Sequence, residues 1–251
     1  MPPGLQSLPT VVQPLEWLVV TLQIYRRVFA RAAALAAKNW PVLGSLVVYQ
    51  VIRTSAAVLC LPLGIAGGFI VTLVQAACVG SFLYLVEMIV RTSRVTLNDF
   101  RHSFSRYLWD VVGVMFLFWI FTLASPAIRQ LPQGEVILLF LFMVILILFN
   151  AVPELIYMGH HTPTALLSES YQFVTENWIE WFPATLVAVC VMYGISAVPV
   201  RGAGIYAQEA ATGLVLYFTM VMRGLLFIEL HGSTHRGRAF KYRTGQWGGP
   251  D

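Results

Sequence analysis

The fold of this chain is decided by one stretch, residues 42–90, which reads VLGSLVVYQVIRTSAAVLCLPLGIAGGFIVTLVQAACVGSFLYLVEMIV. It holds two continuous apolar runs, roughly Val42–Leu61 and Phe69–Val90, joined by a short turn that is rich in glycine. A helix that crosses a hydrocarbon core of about 30 Å needs about 20 residues. Because the runs are continuous rather than alternating, the stretch predicts a hairpin of transmembrane helices and not barrel strands.

The rest of the chain has the same character. Four further apolar runs follow, roughly Trp109–Ser125, Val136–Met158, Phe182–Val198 and Ala210–Leu230. Of the 251 residues, 58% are hydrophobic and 11% are charged, whereas a soluble domain has about 25% charged residues. So few charges cannot cover a soluble sphere, which excludes a soluble nucleic-acid-binding protein, a disordered chain and a disulfide scaffold. The sequence predicts an all-α integral membrane protein with six transmembrane helices.

Lys and Arg are unequally divided between the two sides of the predicted spans. Two of them, Arg129 and Arg201, fall on one side. The other side holds Arg26, Arg27, Arg31, Lys38, Arg91, Arg94, Arg101, Arg106, Arg236, Arg238, Lys241 and Arg243. Because cytoplasmic loops collect Lys and Arg, this distribution predicts a bacterial inner-membrane protein with both termini in the cytoplasm. The loop before the fifth span departs from the pattern, because it is acidic.

Three segments that precede a span resemble one another. They read YRRVFARAAALAAKNWPVLG (25–44), TLNDFRHSFSRYLWDVVG (96–113) and TALLSESYQFVTENWIEWFP (164–183). Each is a polar–apolar stretch followed by a Trp and then a span. This pattern predicts three repeats of an interfacial helix plus a transmembrane hairpin, at about 22–90, 96–158 and 164–230. An N-terminal segment, 1–21, precedes them, and a basic cytoplasmic tail, 231–251, follows.

The three segments have helical periodicity. The apolar faces are Ile24, Val28, Ala32 and Leu35 in the first, Leu97, Phe100, Phe104 and Leu108 in the second, and Leu166, Ser170, Phe173 and Trp178 in the third. Such helices lie in the membrane interface, with the apolar face toward the acyl chains. The predicted contacts with the lipid surface are Arg26, Arg27, Arg31, Lys38, Trp40, Trp109 and Trp178.

Start signals agree with these helices. Thr96 followed by Asp99 resembles a capping box, and Thr162 before Pro163 suits an N-cap with proline in the first turn. We expect the chain to turn from the interface into the bilayer at two other prolines, Pro41 and Pro183.

An amphipathic segment that ends in Asn-Trp, followed by paired spans and repeated, resembles a broad group of bacterial membrane domains. The group includes YciC-like proteins and the membrane domain attached to some glycerophosphodiester phosphodiesterases. The resemblance covers residues 22–230 and rests on Asn39-Trp40 and Asn177-Trp178; the second segment has Leu108-Trp109 instead. It implies a multi-pass inner-membrane protein and supplies no catalytic residue.

Arg53 falls near the middle of the first predicted span. A central Arg costs about 2.5–3.5 kcal/mol on insertion scales, so we expect it to face protein or water. Tyr49 lies one turn before it, Gln50 lies beside it, and the short turn brings Gln75 of the second span within reach. Two interpretations stay open: a contact with an anion or lipid headgroup within a polar pathway, and a structural Arg bonded to helix carbonyls.

Three glutamates recur near the cytoplasmic ends of the second, fourth and sixth spans: Glu87, Glu154 and Glu229. With Arg223, which lies deeper on the sixth span, they would form a ring that serves a cation or a proton. The favoured alternative is salt bridging at the interface, since Glu87 and Arg91 lie at i, i+4 in the stabilising order.

Other chemistry has little support in the sequence. The five histidines all fall on the predicted cytoplasmic side: His102, His160, His161, His231 and His235. We interpret them as polar loop and tail residues rather than as a metal site. The motifs G-x-S-x-G, Walker A and H-E-x-x-H do not occur, and the sequence has no C-x-x-C pair. We therefore predict no enzyme, no cofactor and no metal.

Two function classes remain. The first is a non-enzymatic scaffold or accessory subunit whose partners are membrane lipids or a larger protein complex. The second is a transporter or permease subunit that uses Arg53 and the three glutamates. No soluble domain for ATP hydrolysis is predicted, so transport would need a gradient or a separate ATPase.

Overall fold

The structure is a computed structural model that describes residues 14–158, 163–202 and 204–231. Most of these residues are helical, and no strand occurs among them. The helices are α1 Pro14–Lys38, α2 Val42–Cys60, α3 Gly64–Thr92, α4 Leu97–Arg106, α5 Leu108–Arg129, α6 Gly134–Leu148, α7 Val152–Met158, α8 Pro163–Ala197 and α9 Gly204–His231. A 3-10 turn, Leu61–Leu63, joins α2 to α3.

Within the described residues, five helical segments are long and apolar enough to cross a membrane, so the chain is an all-α membrane protein. They are Val42–Thr92, Leu108–Arg129, Gly134–Met158, Ala165–Ala197 and Gly204–His231. The first contains both α2 and α3. It reverses direction at Gly64, whose φ of +55° suits a residue without Cβ. The reversal is shown by the hydroxyls of Tyr49 and Ser81, which lie 2.5 Å apart. Residues 32 apart in a straight helix would be separated by about 48 Å, so α2 and α3 form an antiparallel hairpin.

The two long helices α3 and α9 form the centre of the bundle. α3 packs against α2, α4, α5, α7 and α9, and α9 also packs against α1 and α8. Buried residues concentrate between Ala76 and Val90 on α3 and between Tyr217 and Leu230 on α9. We call this part, with α1, α4 and α7, the packed end of the bundle. Away from it the helices are mostly exposed: only 6% of the most apolar stretch of Val42–Thr92 is buried, against 50% in Gly204–His231.

The helix starts partly follow the sequence signals. Thr96 and Asp99 form the predicted capping box, with Thr96 N donating to Asp99 Oδ2 over 2.8 Å. Pro41 directly precedes α2, and α8 begins at Pro163; Thr162 lies outside the described residues. The prediction of a turn at Pro183 is wrong. Pro183 lies within α8, and the kink in that helix is at Asn177, where φ is −125° and ψ is 20°.

The apolar face of α1 meets protein and not lipid. Ile24, Val28 and Ala32 are 0–3% exposed, and α1 packs on α9 and α3. This corrects our expectation that the face lies against the acyl chains, since amphipathic periodicity cannot tell a lipid surface from a neighbouring helix. α1 also begins at Pro14, within the segment that the sequence analysis set apart as N-terminal.

The other two predicted faces are buried unevenly. On α4, Leu97 is 85% exposed, whereas Phe100 and Phe104 are half-buried. On α8, Ser170 and Phe173 are buried, but Trp178 is 57% exposed, because the kink at Asn177 shifts the helical register between them. A uniform period of 3.6 residues does not include such a backbone break.

Candidate functional site

The strongest polar interaction in the packed end is a buried ion pair. Arg223 on α9 is 7% exposed and Glu154 on α7 is fully buried. Arg223 Nε donates to Glu154 Oε1 over 2.8 Å, and Nη2 donates to Oε2 over 3.0 Å. This bidentate geometry suits a guanidinium and a carboxylate. The pair fixes α7 to α9 in an apolar surrounding.

Further contacts occupy the rest of the Arg223 guanidinium. Nη1 donates to Thr185 Oγ1 over 2.9 Å, and Nη2 donates to the carbonyl oxygen of Asn150. The ring of Trp181 lies with its centroid 4.6 Å from the guanidinium carbon, and its Nε1 donates to Asn150 Oδ1 over 2.7 Å. All three guanidinium nitrogens therefore donate to fixed acceptors on α7, on α8 and on the link between α6 and α7.

Glu87 on α3 has partners of its own. Arg91 Nε lies 3.2 Å from Glu87 Oε1 in the predicted i, i+4 pair, and Tyr107 Oη donates to Glu87 Oε2 over 2.5 Å. Burial raises the pKa of Tyr107, and the hydrogen bond to Glu87 raises it further. The phenol therefore stays protonated and keeps donating to the carboxylate, which ties α3 to the start of α5.

Glu229 near the end of α9 pairs with α1. Its Oε1 lies 2.9 Å from Arg27 Nη2, with both side chains partly exposed. Each of the three glutamates that the sequence places at one depth thus has a separate arginine. The arrangement is one of salt bridges between and within helices, which is the interpretation that the sequence analysis favoured.

The Asn-Trp dipeptides mark breaks between helices. Asn39 Nδ2 donates to the carbonyl of Leu35 over 2.9 Å, and Asn177 Nδ2 donates to the carbonyl of Phe173 over 3.1 Å. Each side chain thus bonds to the carbonyl four residues earlier, at the point where the helical backbone is interrupted. In the second segment the helical backbone breaks at Tyr107, where φ is −115° and ψ is 15°. The sequence pattern aligns Leu108, one residue later, with the two asparagines.

Asn39 also ties α1 to other parts of the packed end, a role that the sequence analysis missed. Its Oδ1 accepts from Val95 N over 3.0 Å and its Nδ2 lies 3.3 Å from the carbonyl of Ser93, both between α3 and α4. Its own carbonyl accepts from Tyr217 Oη on α9 over 3.1 Å. The recurrence of Asn before Trp is the signal that could have pointed to this role.

Tyr25 is a second residue that the sequence analysis missed. Its Oη donates to the carbonyl of Glu180 over 2.5 Å and accepts from Ala184 N over 3.1 Å, which joins α1 to α8. Burial raises the pKa of Tyr25 to about 12, so the phenol stays protonated and the donated bond persists. No motif marks this residue, since its partners are backbone atoms far along the chain.

The predicted polar stripe on α2 divides into a buried and an exposed part. Tyr49 is 5% exposed, and a chain of hydroxyl contacts, each 2.5 Å, runs from Tyr49 to Ser81 on α3 and Ser103 on α4. Tyr49 therefore holds three helices together. Arg53 and Gln50, in contrast, are exposed.

Arg53 lines a cavity of 660 Å³ between α2, α3, α5, α6, α7 and α9. Gln50, Gln75, Asn150 and Arg223 also line it, so Gln75 is near Arg53 as the sequence predicts. The remaining wall is mostly aliphatic and aromatic. Within the described part of the chain, no Asp or Glu side chain lines this cavity.

The predicted lipid-contact residues lie at the surface of the chain. Trp40, Trp109 and Trp178 are 57–73% exposed. Arg26, Arg31 and Lys38 are exposed on α1, and Arg27 is partly exposed while pairing with Glu229. This placement leaves the predicted contacts accessible at the surface.

Two of the five histidines considered as metal ligands, His102 and His231, lie among the described residues. Among residues 14–158, 163–202 and 204–231, no cluster of His, Cys, Asp and Glu is suited to holding a metal ion. His231 stacks on Phe227, with ring centroids 5.0 Å apart. The other predicted candidates, His160, His161 and His235, lie outside the described residues.

Comparisons of this chain with protein-family models, curated proteins and solved structures find no match.

Proposed function

We propose that this protein is a non-enzymatic scaffold or accessory subunit of the bacterial inner membrane that contacts lipid and a partner complex. The observation that carries the proposal is the state of the three glutamates. Glu87, Glu154 and Glu229 each pair with a different arginine, so the carboxylates that a cation or proton pathway would use are engaged in salt bridges between and within helices instead. A bundle fixed in this way serves to present surfaces.

The proposed arrangement has six crossings: α2, α3, α5, α6 with α7, the part of α8 after Asn177, and α9. Three repeats account for them, each with an interfacial helix before a hairpin. The helix breaks at Asn39, Tyr107 and Asn177 support this proposal, because each comes just before an exposed Trp. The resemblance to YciC-like membrane domains stays a prediction on the same residues.

The surfaces that would be presented are the spans away from the packed end. Large apolar side chains are exposed there, including Val58 at 67%, Leu59 at 75% and Phe69 at 66%. Exposed apolar patches larger than a few hundred Å² mark contacts with membrane or protein. In a bilayer, lipid or the helices of a partner would cover them, and the basic residues of α1 would meet anionic headgroups.

A transporter or permease subunit is the second candidate. The cavity that Arg53 and Arg223 line is the observation in its favour, since ionisable residues within spans commonly mark pathways. The ion pairs of the glutamates count against the predicted carboxylate ring as the working part of such a pathway.

Extraction from native membranes in a lipid-preserving polymer tests the function most sharply. We expect the 28.0 kDa chain to leave the membrane in a larger assembly of constant composition, measured by native mass spectrometry. A six-span protein of unrelated sequence with the same tag is the control for adventitious association. A stoichiometric ATPase would support the permease alternative, and a chain recovered alone with lipid would overturn the accessory-subunit role.

A further inference from the structure

We propose that the cavity beside Arg53 binds one anionic phospholipid, with the lipid phosphate at the Arg53 guanidinium and an acyl chain along the apolar wall. The inference rests on the proposed function, because it names the lipid that this scaffold holds. It differs from the general attraction of basic residues to a charged surface, since it assigns one lipid to one built site.

The charge of the cavity is the first argument. Two arginines and no carboxylate line it among the described residues. Glu154 compensates Arg223 through two hydrogen bonds. Arg53 has neither a hydrogen bond nor an ion pair within the described part of the chain, so the cavity carries one uncompensated positive charge. An uncompensated charge inside a membrane is costly, and a bound phosphate would offset it.

The wall of the cavity is the second argument. Aliphatic and aromatic side chains cover most of it, among them Leu46, Val79, Phe82, Val111, Phe118 and Leu146. The amides of Gln50 and Gln75 add hydrogen-bond donors at the same site as Arg53. An apolar wall with a few convergent polar groups is what an amphiphile needs. A free inorganic anion would leave that wall without a partner.

The size of the cavity distinguishes a lipid from a partner helix. Its volume of 660 Å³ lies within the range of about 300–1,000 Å³ that small-ligand sites occupy. A spanning helix about 10 Å wide and 30 Å long takes roughly 2,400 Å³, so it could not enter. A single chain of a lipid is narrow enough to do so.

The position of Arg53 explains why this lipid would stay bound. Arg53 comes eleven residues after Val42, so its Cα lies about 16 Å along α2 from the start of that helix. The Cα–Cβ bond tilts toward the helix N-terminus, which directs the side chain back toward Tyr49. A phosphate that reaches it must sit deeper than the headgroups of bulk lipid. Exchange with bulk lipid would then be slow, and the lipid should survive purification.

Native mass spectrometry of the full chain, purified from an equimolar mixture of phosphatidylglycerol and phosphatidylethanolamine, tests the assignment. We expect one retained phosphatidylglycerol on the native protein. Arg53→Gln should lower its occupancy about tenfold, equivalent to about 1.4 kcal/mol, and Arg53→Lys should keep most of it. The matched control is Arg94→Gln, an exposed arginine between α3 and α4, which should retain the lipid.

A second pair of variants tests the acyl chain separately from the charge. Val79→Trp narrows the cavity while Arg53 stays in place, and it should reduce the retained lipid. Val191→Trp adds the same volume at a position that is 44% exposed and does not line the cavity, and it should not. Melting temperatures within about 2 °C of the native protein would show that each variant is folded.

Three outcomes would overturn the inference. Equal loss in Arg53→Gln and Arg94→Gln would show that only surface charge attracts the lipid. Equal retention of both phospholipids would show that the site does not select a negative charge, and displacement by oleate at equal concentration would assign the cavity to a fatty acid. The size of the native assembly should not change in Arg53→Gln, so failure of the lipid site and failure of the scaffold role can be told apart.

Discussion

Replacing Arg223 by methionine should destabilise the protein by about 3–5 kcal/mol, the largest effect of any single substitution that we expect. The variant leaves Glu154 fully buried without its bidentate partner, and breaking a buried ion pair from one side costs about that much. Thr185 and Asn150 also lose the donors that now satisfy them. Thermal unfolding in detergent micelles, followed by tryptophan fluorescence, measures the change.

The double variant Arg223→Met with Glu154→Leu separates loss of the pair from loss of one charge. Because it removes both buried charges, it should recover a large part of the stability that Arg223→Met loses. Arg94→Met is the control for removing an arginine, and it should change stability little, since Arg94 is exposed between α3 and α4. A double variant no more stable than Arg223→Met would contradict the view that the buried charges need each other.

Replacing Asn39 by alanine should cost about 2–3 kcal/mol. The side chain is 5% exposed and bonds to the carbonyl of Leu35, the carbonyl of Ser93 and the amide of Val95. Alanine would leave the partly buried carbonyl of Ser93 and amide of Val95 without these bonds, whereas the carbonyl of Leu35 would still accept from the backbone amide of residue 39. An unsatisfied buried group costs about 1–3 kcal/mol. The free energy of unfolding in denaturant would show the loss.

Asn98→Ala is the matched control for this prediction. Asn98 is exposed on α4, so its replacement should change the free energy of unfolding by less than about 0.5 kcal/mol. Equal free energies of unfolding for Asn39→Ala and Asn98→Ala would contradict the linking role that the hydrogen bonds of Asn39 indicate.

Local features of the fold follow from the sequence. The apolar runs and the glycine turn predict the hairpin of α2 and α3, and the capping box at Thr96 and the pair of Glu87 with Arg91 follow from spacings of three and four residues. These features depend on neighbours in the chain. Their geometry is therefore set by helical periodicity and capping, which can be read without knowing how the helices pack.

Features that depend on packing could not be predicted. The partners Glu154 and Arg223 lie 69 residues apart, and no spacing rule joins them. The apolar face of α1 is covered by α9 rather than by lipid, because periodicity shows that a face is apolar and not what covers it. The proline at Pro183 suggests a break there, but α8 breaks at Asn177. At that position the Asn side chain donates to the carbonyl four residues earlier.

The central claim of this account is a six-span chain with both termini in the cytoplasm, since the scaffold role and the lipid site both depend on that arrangement. Reporter domains at two positions measure it directly: one after Asp251 and one inserted after Gly64, where the chain reverses between α2 and α3 and a Cβ would meet nothing within 4 Å. Gly67 is the less suitable position, because a Cβ there would clash with the carbonyl oxygen of Cys60. We expect a cytoplasmic reporter at Asp251 and a periplasmic reporter at Gly64. A periplasmic reporter at Asp251, or both reporters on one side, would contradict it.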